Sequence, residues 1–112
     1  MPTDFRPFPR QDLTATDTTT VLEWDVSRDS VISVQIDDSA AAGSWTATFY
    51  RANTGGATPR DPLETAEAIS SASSSKMTRG IDCSAFSRLK CKLTAAGSSG
   101  TLKFYAHAKS DR

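Results

Sequence analysis

Few side chains in this sequence could carry out chemistry. The one histidine, His107, lies in an alternating segment that points it outward together with Lys103 and Tyr105. A serine or cysteine nucleophile needs a base within hydrogen-bond reach, and a solvated histidine on an outer face is typical of a surface residue instead. The sequence therefore predicts no catalytic residue and no enzymatic activity.

The acidic residues are placed as turn residues and not as catalytic or metal-binding pairs. Asp37 and Asp38 are adjacent at a strand end, and Asp25 and Asp82 each come two residues before a serine. Aspartate at such positions commonly accepts hydrogen bonds from turn amides, whereas calcium needs several oxygen ligands from clustered loops. The sequence contains neither a zinc-site spacing nor a phosphate-binding glycine loop. We expect neither a metal nor a cofactor.

Cys83 and Cys91 are the two cysteines of the chain. A disulfide, or half of a metal site, is the competing interpretation, but the sequence has no second close cysteine pair and a single histidine. Because free cysteine commonly packs as a small apolar side chain, we expect two buried free thiols.

Charge and hydropathy bear on the kind of partner. The 13 lysine and arginine residues balance 13 aspartate and glutamate residues, so no net field attracts nucleic acid or an anionic membrane. No apolar run approaches the roughly 20 residues that span a bilayer, and residues 1–10 lack the apolar core of a signal peptide. We expect a protein made in the cytoplasm, with no membrane partner and no nucleic-acid partner.

Period-two alternation of apolar and polar residues predicts β-strands through most of the chain. It is clearest over residues 31–37 and 44–51, which we expect to pair as a hairpin. Residues 1–19, with three prolines and no periodicity, predict an extended N-terminal arm, and residues 20–112 predict a single domain. We expect deletion of the arm to spare folding and to weaken assembly. Residues 63–70 fit a helical turn and a short edge strand equally well.

An internal repeat relates the two halves of the chain. Residues 24–51 laid over residues 81–108 agree in alternation and in turn residues, with Asp25 matching Asp82. A three-stranded sheet with one apolar face needs a second sheet about 10 Å away to cover that face. The predicted fold class is all-β: a two-layer antiparallel β-sandwich of jelly-roll type, built from two three-stranded halves.

Two surface regions are candidates for binding. The first combines the arm with an uncharged sheet face, since the centres of interfaces are depleted in charge. The second is a basic patch, which suits either an aggregation-resistant sheet face or contact with an acidic partner. The predicted interface residues are Phe5, Pro7, Phe8, Val31, Ser33, Gln35, Thr46, Thr48 and Tyr50, and the predicted basic patch is Arg88, Lys90, Lys92 and Lys103.

The sequence resembles small β-sandwich virion proteins of tailed bacteriophages in one phrase, GIDCSAFSRLKCKLT from Gly80 to Thr94 followed by GTLKFYA from Gly100 to Ala106. The segment WDVS from Trp24 to Ser27 repeats the turn of that phrase. The resemblance implies a non-enzymatic capsid decoration or cement protein, or another head or tail accessory protein, located in the virion. It also implies binding to a major capsid or tail protein and self-association, with a trimer as one expected form.

The same phrase resembles carbohydrate-binding sandwich modules, which leaves glycan binding as the alternative function. Sugar sites usually need exposed aromatic rings beside polar side chains. Trp24 and Trp45 have core parity, so Tyr50 and Tyr105 are the available platforms.

Overall fold

The computed structural model describes residues 4–53, 64–78 and 80–110, and every regular element within them is a β-strand. The strands form two antiparallel sheets packed against each other, which confirms the predicted two-layer β-sandwich. The described residues contain no helix with the length and hydropathy of a membrane span. The strands are β1 (Asp4–Pro7), β2 (Gln11–Thr14), β3 (Leu22–Asp25), β4 (Val31–Asp37), β5 (Ala41–Ala42), β6 (Thr46–Ala52), β7 (Glu64–Ser70), β8 (Ile81–Asp82), β9 (Arg88–Ala95) and β10 (Ser99–Ser110).

The two sheets differ in size. The six-stranded sheet follows the order β1-β10-β4-β8, with β2 and β5 also pairing with β10. The four-stranded sheet follows the order β3-β9-β6-β7. Because β10 pairs with the N-terminal strands on one side and with β4 on the other, it is the central strand of the larger sheet.

The core lies between the sheets and is filled by the inward residues of each alternating strand. Both tryptophans are buried there, as their parity predicts. The Trp24 ring lies 6.3 Å from the Phe49 ring and 6.3 Å from the Phe104 ring, measured between ring centroids. Trp24 therefore joins aromatic side chains of both sheets, and burial of such rings is a main source of stability.

The internal repeat is present in the strand pairing. The repeat matches Trp24 with Ile81 and Ile32 with Leu89. Accordingly, Trp24 opposes Leu89 where β3 pairs with β9, and Ile81 opposes Ile32 where β8 pairs with β4. The residue pairs between β9 and β6 likewise correspond, under the repeat, to the residue pairs between β4 and β10. Two pseudo-equivalent units, β3-β9-β6 and β8-β4-β10, therefore form the centre of the sandwich.

The turns that enter these units repeat as well. The Asp25 carboxylate accepts a hydrogen bond from the Ser27 amide, and the Asp82 carboxylate accepts one from the Ser84 amide, both at 3.0 Å. The bond from the Ser27 amide is the main reason why the pKa of Asp25 lies below its ordinary value. Asp25 and Asp82 thus act as turn residues, as their spacing predicts.

Each sheet contains strands from both halves of the chain, so the prediction that each half forms its own sheet is wrong. β4 lies in the six-stranded sheet and β6 in the four-stranded sheet, and the predicted hairpin between residues 31–37 and 44–51 does not form. The alternation of apolar and polar residues shows which face of a strand is buried. The same alternation occurs whichever strands are its neighbours, so it does not predict the pairing. The connection between β4 and β6 crosses between sheets, and Gly43 within it has a φ of 88°, which glycine adopts at little cost.

The N-terminal segment is extended, as predicted, but it is not an arm separate from the domain. β1 and β2 both pair with β10 along one edge of the six-stranded sheet. Leu13 and Ala15 are buried in the core, so residues predicted to lie outside the sandwich help to fill it. Pro7 is the last residue of edge strand β1 and Pro9 lies between β1 and β2, and both positions tolerate a residue that cannot donate to a sheet ladder.

The structure also shows the state of residues 63–70 and of the two cysteines. Of residues 63–70, Glu64–Ser70 forms edge strand β7, so this segment is a strand and not a helical turn; residue 63 lies outside the described residues. Cys83 and Cys91 are free and buried, as predicted. Burial also raises the pKa of the Cys91 thiol.

Candidate binding face

The solvent-facing side of the six-stranded sheet is the candidate functional site, and we refer to it as the outer face. It consists of the residues that alternate with the core positions of β10 and β4, together with their neighbours on β1. His107 lies opposite Pro7 on one side and Ser33 on the other. Tyr105 lies opposite Gln35 in the next row. Directly opposed residues of an antiparallel pair share a face, so these side chains form one surface.

The outer face carries the exposed large apolar side chains of the described residues. Phe5 is 65% exposed, Tyr105 is 43% exposed and Met77 is 42% exposed. Phe5 is on β1, Tyr105 is on β10, and Met77 forms a β-bridge with Gln35 of β4. Single exposed apolar residues are common on proteins, and three of them on one sheet face make this face the candidate for contact with a partner.

A shallow groove of about 250 Å³ lies within the outer face. Its lining is mostly apolar and includes the uncharged hydrogen-bonding side chains of Ser33 and Gln35. The lining residues are Pro7, Phe8, Ser33, Gln35, Met77, Tyr105, Ala106 and His107.

Two contacts involve the aromatic rings of the outer face. The pKa of Arg10 lies above its ordinary value, chiefly through its interaction with the Tyr105 side chain and next through the charge of Asp12. The Phe5 ring meets the His107 ring edge-on, with 5.9 Å between their centroids. Both rings stay exposed, so these interactions leave them accessible on the outer face.

Along β10 and β4, the charged outward residues lie at the two ends of the outer face, while Arg10 and Asp12 add charge beside Tyr105 at its N-terminal edge. Lys103 opposes Asp37 at one end, and Lys109 opposes Val31 at the other. Hydrogen bonds from Ser39 are the main reason why the pKa of Asp37 lies below its ordinary value, and the charge of Lys103 adds a smaller contribution. The rows between these ends carry no lysine, arginine, aspartate or glutamate on β10 or β4.

The N-terminal edge of the outer face is fixed to the opposite sheet by a group that we call the Arg6 clamp. The Arg6 guanidinium hydrogen-bonds to the buried Asp29 carboxylate at 2.5 Å and to the Asp25 carbonyl at 2.9 Å. It also lies 4.5 Å above the Phe8 ring. Gln11 adds a hydrogen bond from its side-chain amide to a carbonyl of β3 at 2.9 Å. These side chains hold β1 and β2 in place beside β10.

The structure brings together most of the residues predicted to form the interface. Thr46, Thr48 and Tyr50 are on β6 and therefore on the opposite side of the sandwich, because the predicted hairpin of β4 with β6 does not form. The residues that lie on the outer face or beneath its groove are Phe5, Pro7, Phe8, Val31, Ser33 and Gln35.

The predicted basic patch is wrong. Arg88, Lys90 and Lys92 are on β9 of the four-stranded sheet, whereas Lys103 is on β10 of the other sheet. Lys90 is only 2% exposed, and the Arg88 guanidinium forms an ion pair with Glu23 at 3.1 Å. The alternation in the sequence places all four residues on the solvent side of their strands, but it does not show which of the two sheets each strand belongs to.

Met77 is the groove residue that the sequence pattern missed. With Ile81 and Cys83 inward, regular alternation places Met77 inward too. Gly80 has a φ of 83° and interrupts the strand, so Thr78 is buried and Met77 is exposed. The glycine itself was the available signal, because glycine within an alternating segment often marks a break in it. Among the described residues, no group of three or more histidine, cysteine or acidic side chains is placed to hold a metal ion.

No protein-family model matches the sequence, and no curated protein matches it. Among solved structures, the chain is similar to the SPBc2 prophage-derived protein YomS, with a TM-score of 0.55 and 13% identity over 93% of this chain and 95% of that one. The Drosophila NLP core matches with a TM-score of 0.42 and 14% identity over 91% of this chain and 100% of that one. The IMPa metallopeptidase from Pseudomonas aeruginosa matches with a TM-score of 0.46 and 12% identity, over 99% of this chain and 13% of that one. The likeness to YomS shows a shared fold.

Proposed function

We propose that this chain is a non-enzymatic structural protein of a tailed-phage particle. The role is that of a capsid decoration or cement protein, or of another head or tail accessory protein. It acts by binding neighbouring virion proteins through the outer face. The fold shared with a prophage-derived protein, over 93% of this chain and 95% of that one, supports this setting. The resemblance of the residues from Gly80 to Ala106 to phage virion proteins supports it independently of the fold comparison.

The observation that carries the proposal is the composition of the outer face. Phe5, Met77 and Tyr105 are exposed there, and the outward residues of β10 and β4 between the two end rows include no lysine, arginine, aspartate or glutamate. Interface centres are enriched in aromatic residues and methionine and depleted in charge, and a polar rim surrounds them. The outer face has this arrangement and would lose exposed apolar surface on binding.

Self-association is part of the proposal, with a trimer as the first form to look for. Phage accessory proteins of the kind that the sequence resembles are often oligomeric. Light scattering on the purified protein measures the mass in solution, and a defined multiple of the 12.0 kDa chain supports self-association. A monomer at every concentration would contradict self-association, and the proposal would then be limited to binding a different virion protein.

The experiment that tests the proposed function is quantitative mass spectrometry of purified particles of the phage that encodes the chain. We expect the chain in a fixed number of copies relative to the major capsid or tail protein, retained through density-gradient purification. Its absence from particles, while it is present in infected cells, would contradict the proposal.

Glycan binding is the second candidate function, and the groove beside Tyr105 is the observation that favours it. An exposed tyrosine next to Ser33 and Gln35 offers a flat ring and neutral hydrogen-bonding groups, which sugar sites use. A glycan array distinguishes the two functions, since a structural role predicts no binding that depends on Tyr105.

A further inference from the structure

The edges of both sheets are the places where a strand of a second copy can be added. Among the described strands, β1, β2, β5 and β8 lie at the edges of the six-stranded sheet, and β3 and β7 lie at the edges of the four-stranded sheet. In an antiparallel pair, alternate residues of an edge strand direct their amide and carbonyl away from the neighbouring strand. A row of such groups is a template for another strand, so the contacts of these groups decide whether the sheet can grow.

Side chains of the N-terminal segment occupy the outward carbonyls of β3. The Val26 amide bonds toward β9, so Glu23 and Asp25 are the residues of β3 that face away from β9. The Gln11 side-chain amide donates to the Glu23 carbonyl at 2.9 Å. The Arg6 guanidinium donates to the Asp25 carbonyl, also at 2.9 Å. Both outward acceptors of β3 are therefore already bonded.

The same kind of contact recurs at β8, the equivalent of β3 under the internal repeat. The Cys83 amide bonds toward β4, so Asp82 faces away from β4, and the Arg51 guanidinium donates to the Asp82 carbonyl at 3.0 Å. In β5, the Ala41 amide donates to the Asp38 carbonyl at 3.0 Å. β5 and β8 have two residues each, and very short edge strands offer few groups for pairing.

Proline and a turn protect the edge formed by β1 and β2. The Phe8 amide donates to the Ala106 carbonyl of β10 at 2.9 Å, so Pro7 is in the row that faces away from β10. Proline has no amide hydrogen and cannot donate to an added strand. In β2, the outward Thr14 carbonyl accepts a hydrogen bond from the Asp17 amide at 2.9 Å. Each of these strands therefore offers an added strand one group fewer.

A turn and a β-bulge protect β7. The Ser70 amide, which faces away from β6, donates to the Ser73 hydroxyl at 3.1 Å, and the Ser70 carbonyl accepts from the Ser73 amide at 3.0 Å. The register with β6 shifts between Phe49 and Tyr50, which leaves Ala66 as an extra residue of β7. A bulge bends and twists an edge strand, which hinders regular pairing with a second strand.

We propose that these contacts close the sheet edges, so that a second copy of this chain does not add a strand to either sheet. The caps on β3 and β8 come from the opposite sheet, since Arg6 is on β1 and Arg51 is on β6. Such a cap is lost only if the sandwich opens. The inference does not depend on the proposed function, because it concerns contacts between copies of the chain alone. Copies that associate therefore meet through a face or a loop.

Opening two of the edges tests the proposal on the purified full-length chain. Deletion of Ala66 removes the bulge of β7, and Gln11→Ala removes the cap on the Glu23 carbonyl. We expect the deletion variant to reach at least about twice the wild-type mass as its concentration rises, measured by sedimentation velocity. We expect Gln11→Ala to show the same trend at higher concentration. Circular dichroism and thermal melting check that each variant folds.

Two matched controls separate edge opening from the substitutions themselves. Ala66→Ser keeps the extra residue of β7, and Thr14→Ala shortens an exposed side chain of the strand that carries Gln11. We expect both controls to have the wild-type mass at every concentration. An equal rise in mass in the controls, or no rise in either test variant, overturns the proposal. If the deletion variant does not fold, Gln11→Ala decides alone.

Hydrogen exchange locates the contact between copies. The Ala68 amide faces away from β6, and in the deletion variant we expect it to exchange at least about tenfold more slowly at high than at low protein concentration. In Gln11→Ala we expect slower exchange at the Glu23 amide. In the wild-type chain we expect both amides to exchange at rates that do not depend on concentration. Slower exchange of either amide when the wild-type chain associates overturns the proposal, because a strand would then be added despite the caps.

Discussion

Arg6 and Arg51 occupy related corners of the sandwich. The Arg6 guanidinium donates to the Asp25 carbonyl at 2.9 Å, and the Arg51 guanidinium donates to the Asp82 carbonyl at 3.0 Å. Asp25 and Asp82 are equivalent under the internal repeat, so an arginine binds the same carbonyl in both halves. The Arg51 guanidinium also lies 5.5 Å from the centroid of the Phe86 ring. Each arginine ties the end of one sheet to the other sheet.

Replacing Arg6 tests the clamp. Arg6→Met keeps the length of the side chain but leaves the buried Asp29 carboxylate without its arginine. Removing one partner of a buried carboxylate is destabilising, and because the Arg6 side chain is about a third exposed, we expect the free energy of unfolding in urea to fall by about 2 kcal/mol. Arg10→Met is the control, since the pair of Arg10 with Asp12 is exposed and should contribute below about 1 kcal/mol. Equal effects of the two substitutions would show that the clamp is not structural.

Thiol reactivity tests the packing around the cysteines. Cys83 and Cys91 are buried, and burial raises the pKa of Cys91, so little reactive thiolate is available in the native state. We expect a thiol reagent to modify the folded protein only slowly and to modify both cysteines at once in denaturant. Rapid modification of either residue under native conditions would contradict the buried position.

The turn after β2 is expected to make the stability of the folded protein depend on pH. Asp17 accepts hydrogen bonds from the hydroxyls and amides of Thr19 and Thr20, and these bonds lower its pKa, with the Thr20 hydroxyl as the largest cause. A carboxylate whose pKa is lower in the folded state than in the unfolded state stabilises the folded protein at pH values above the unfolded-state pKa of about 3.9. This stabilisation is lost as the pH falls through the pKa of the folded state. We expect Asp17→Asn to be less stable than wild type at pH 7, with a difference that narrows below about pH 4. A difference independent of pH would show that the charge of Asp17 does not matter.

At the scale of elements, the N-terminal strands are part of the sandwich. β1 and β2 cover one side of β10, and the residues that follow Pro9 reach the core through Leu13 and Ala15. We expect deletion of residues 1–15 to abolish cooperative thermal unfolding, which reverses the expectation drawn from the prolines of this segment. Leu13→Ala, as a milder change, should lower the free energy of unfolding by about 2–5 kcal/mol. A truncated protein that melts like wild type would restore the interpretation of a separate arm.

The sequence predicted the strands better than it predicted their neighbours. Alternation in β4, β9 and β10 identified the inward residues, because burial of one face imposes a period of two. It could not show that β4 and β6 lie in different sheets, since a strand has the same pattern beside any partner. The N-terminal strands were missed because β1 and β2 are four residues each and prolines interrupt the run.

At the scale of the whole molecule, the two halves of the chain are interleaved. The unit β3-β9-β6 takes its middle strand from the second half, and the unit β8-β4-β10 takes its middle strand from the first. Neither half contains a complete three-stranded sheet, so each depends on the other to pair its backbone and to cover its apolar face. The repeat seen in the sequence therefore describes one domain and not two.

The outer face was predictable in part for the same reason. Val31, Ser33 and Gln35 were placed together correctly, because they are alternate residues of a single strand. Thr48 and Tyr50 were assigned to the same face wrongly, because that assignment needed the neighbour of β4. In the structure, β10 and the N-terminal strands complete this surface and contribute to its groove.

Hydroxyl-radical footprinting of the chain on and off the particle tests most directly whether the outer face is the surface that meets the virion. Phe5, Met77 and Tyr105 carry oxidisable side chains that are exposed in the free protein. We predict that all three lose reactivity on the particle, while the reactivity of Tyr50 on the opposite sheet is unchanged. Protection of Tyr50 with no change at Phe5, Met77 and Tyr105 would contradict the account.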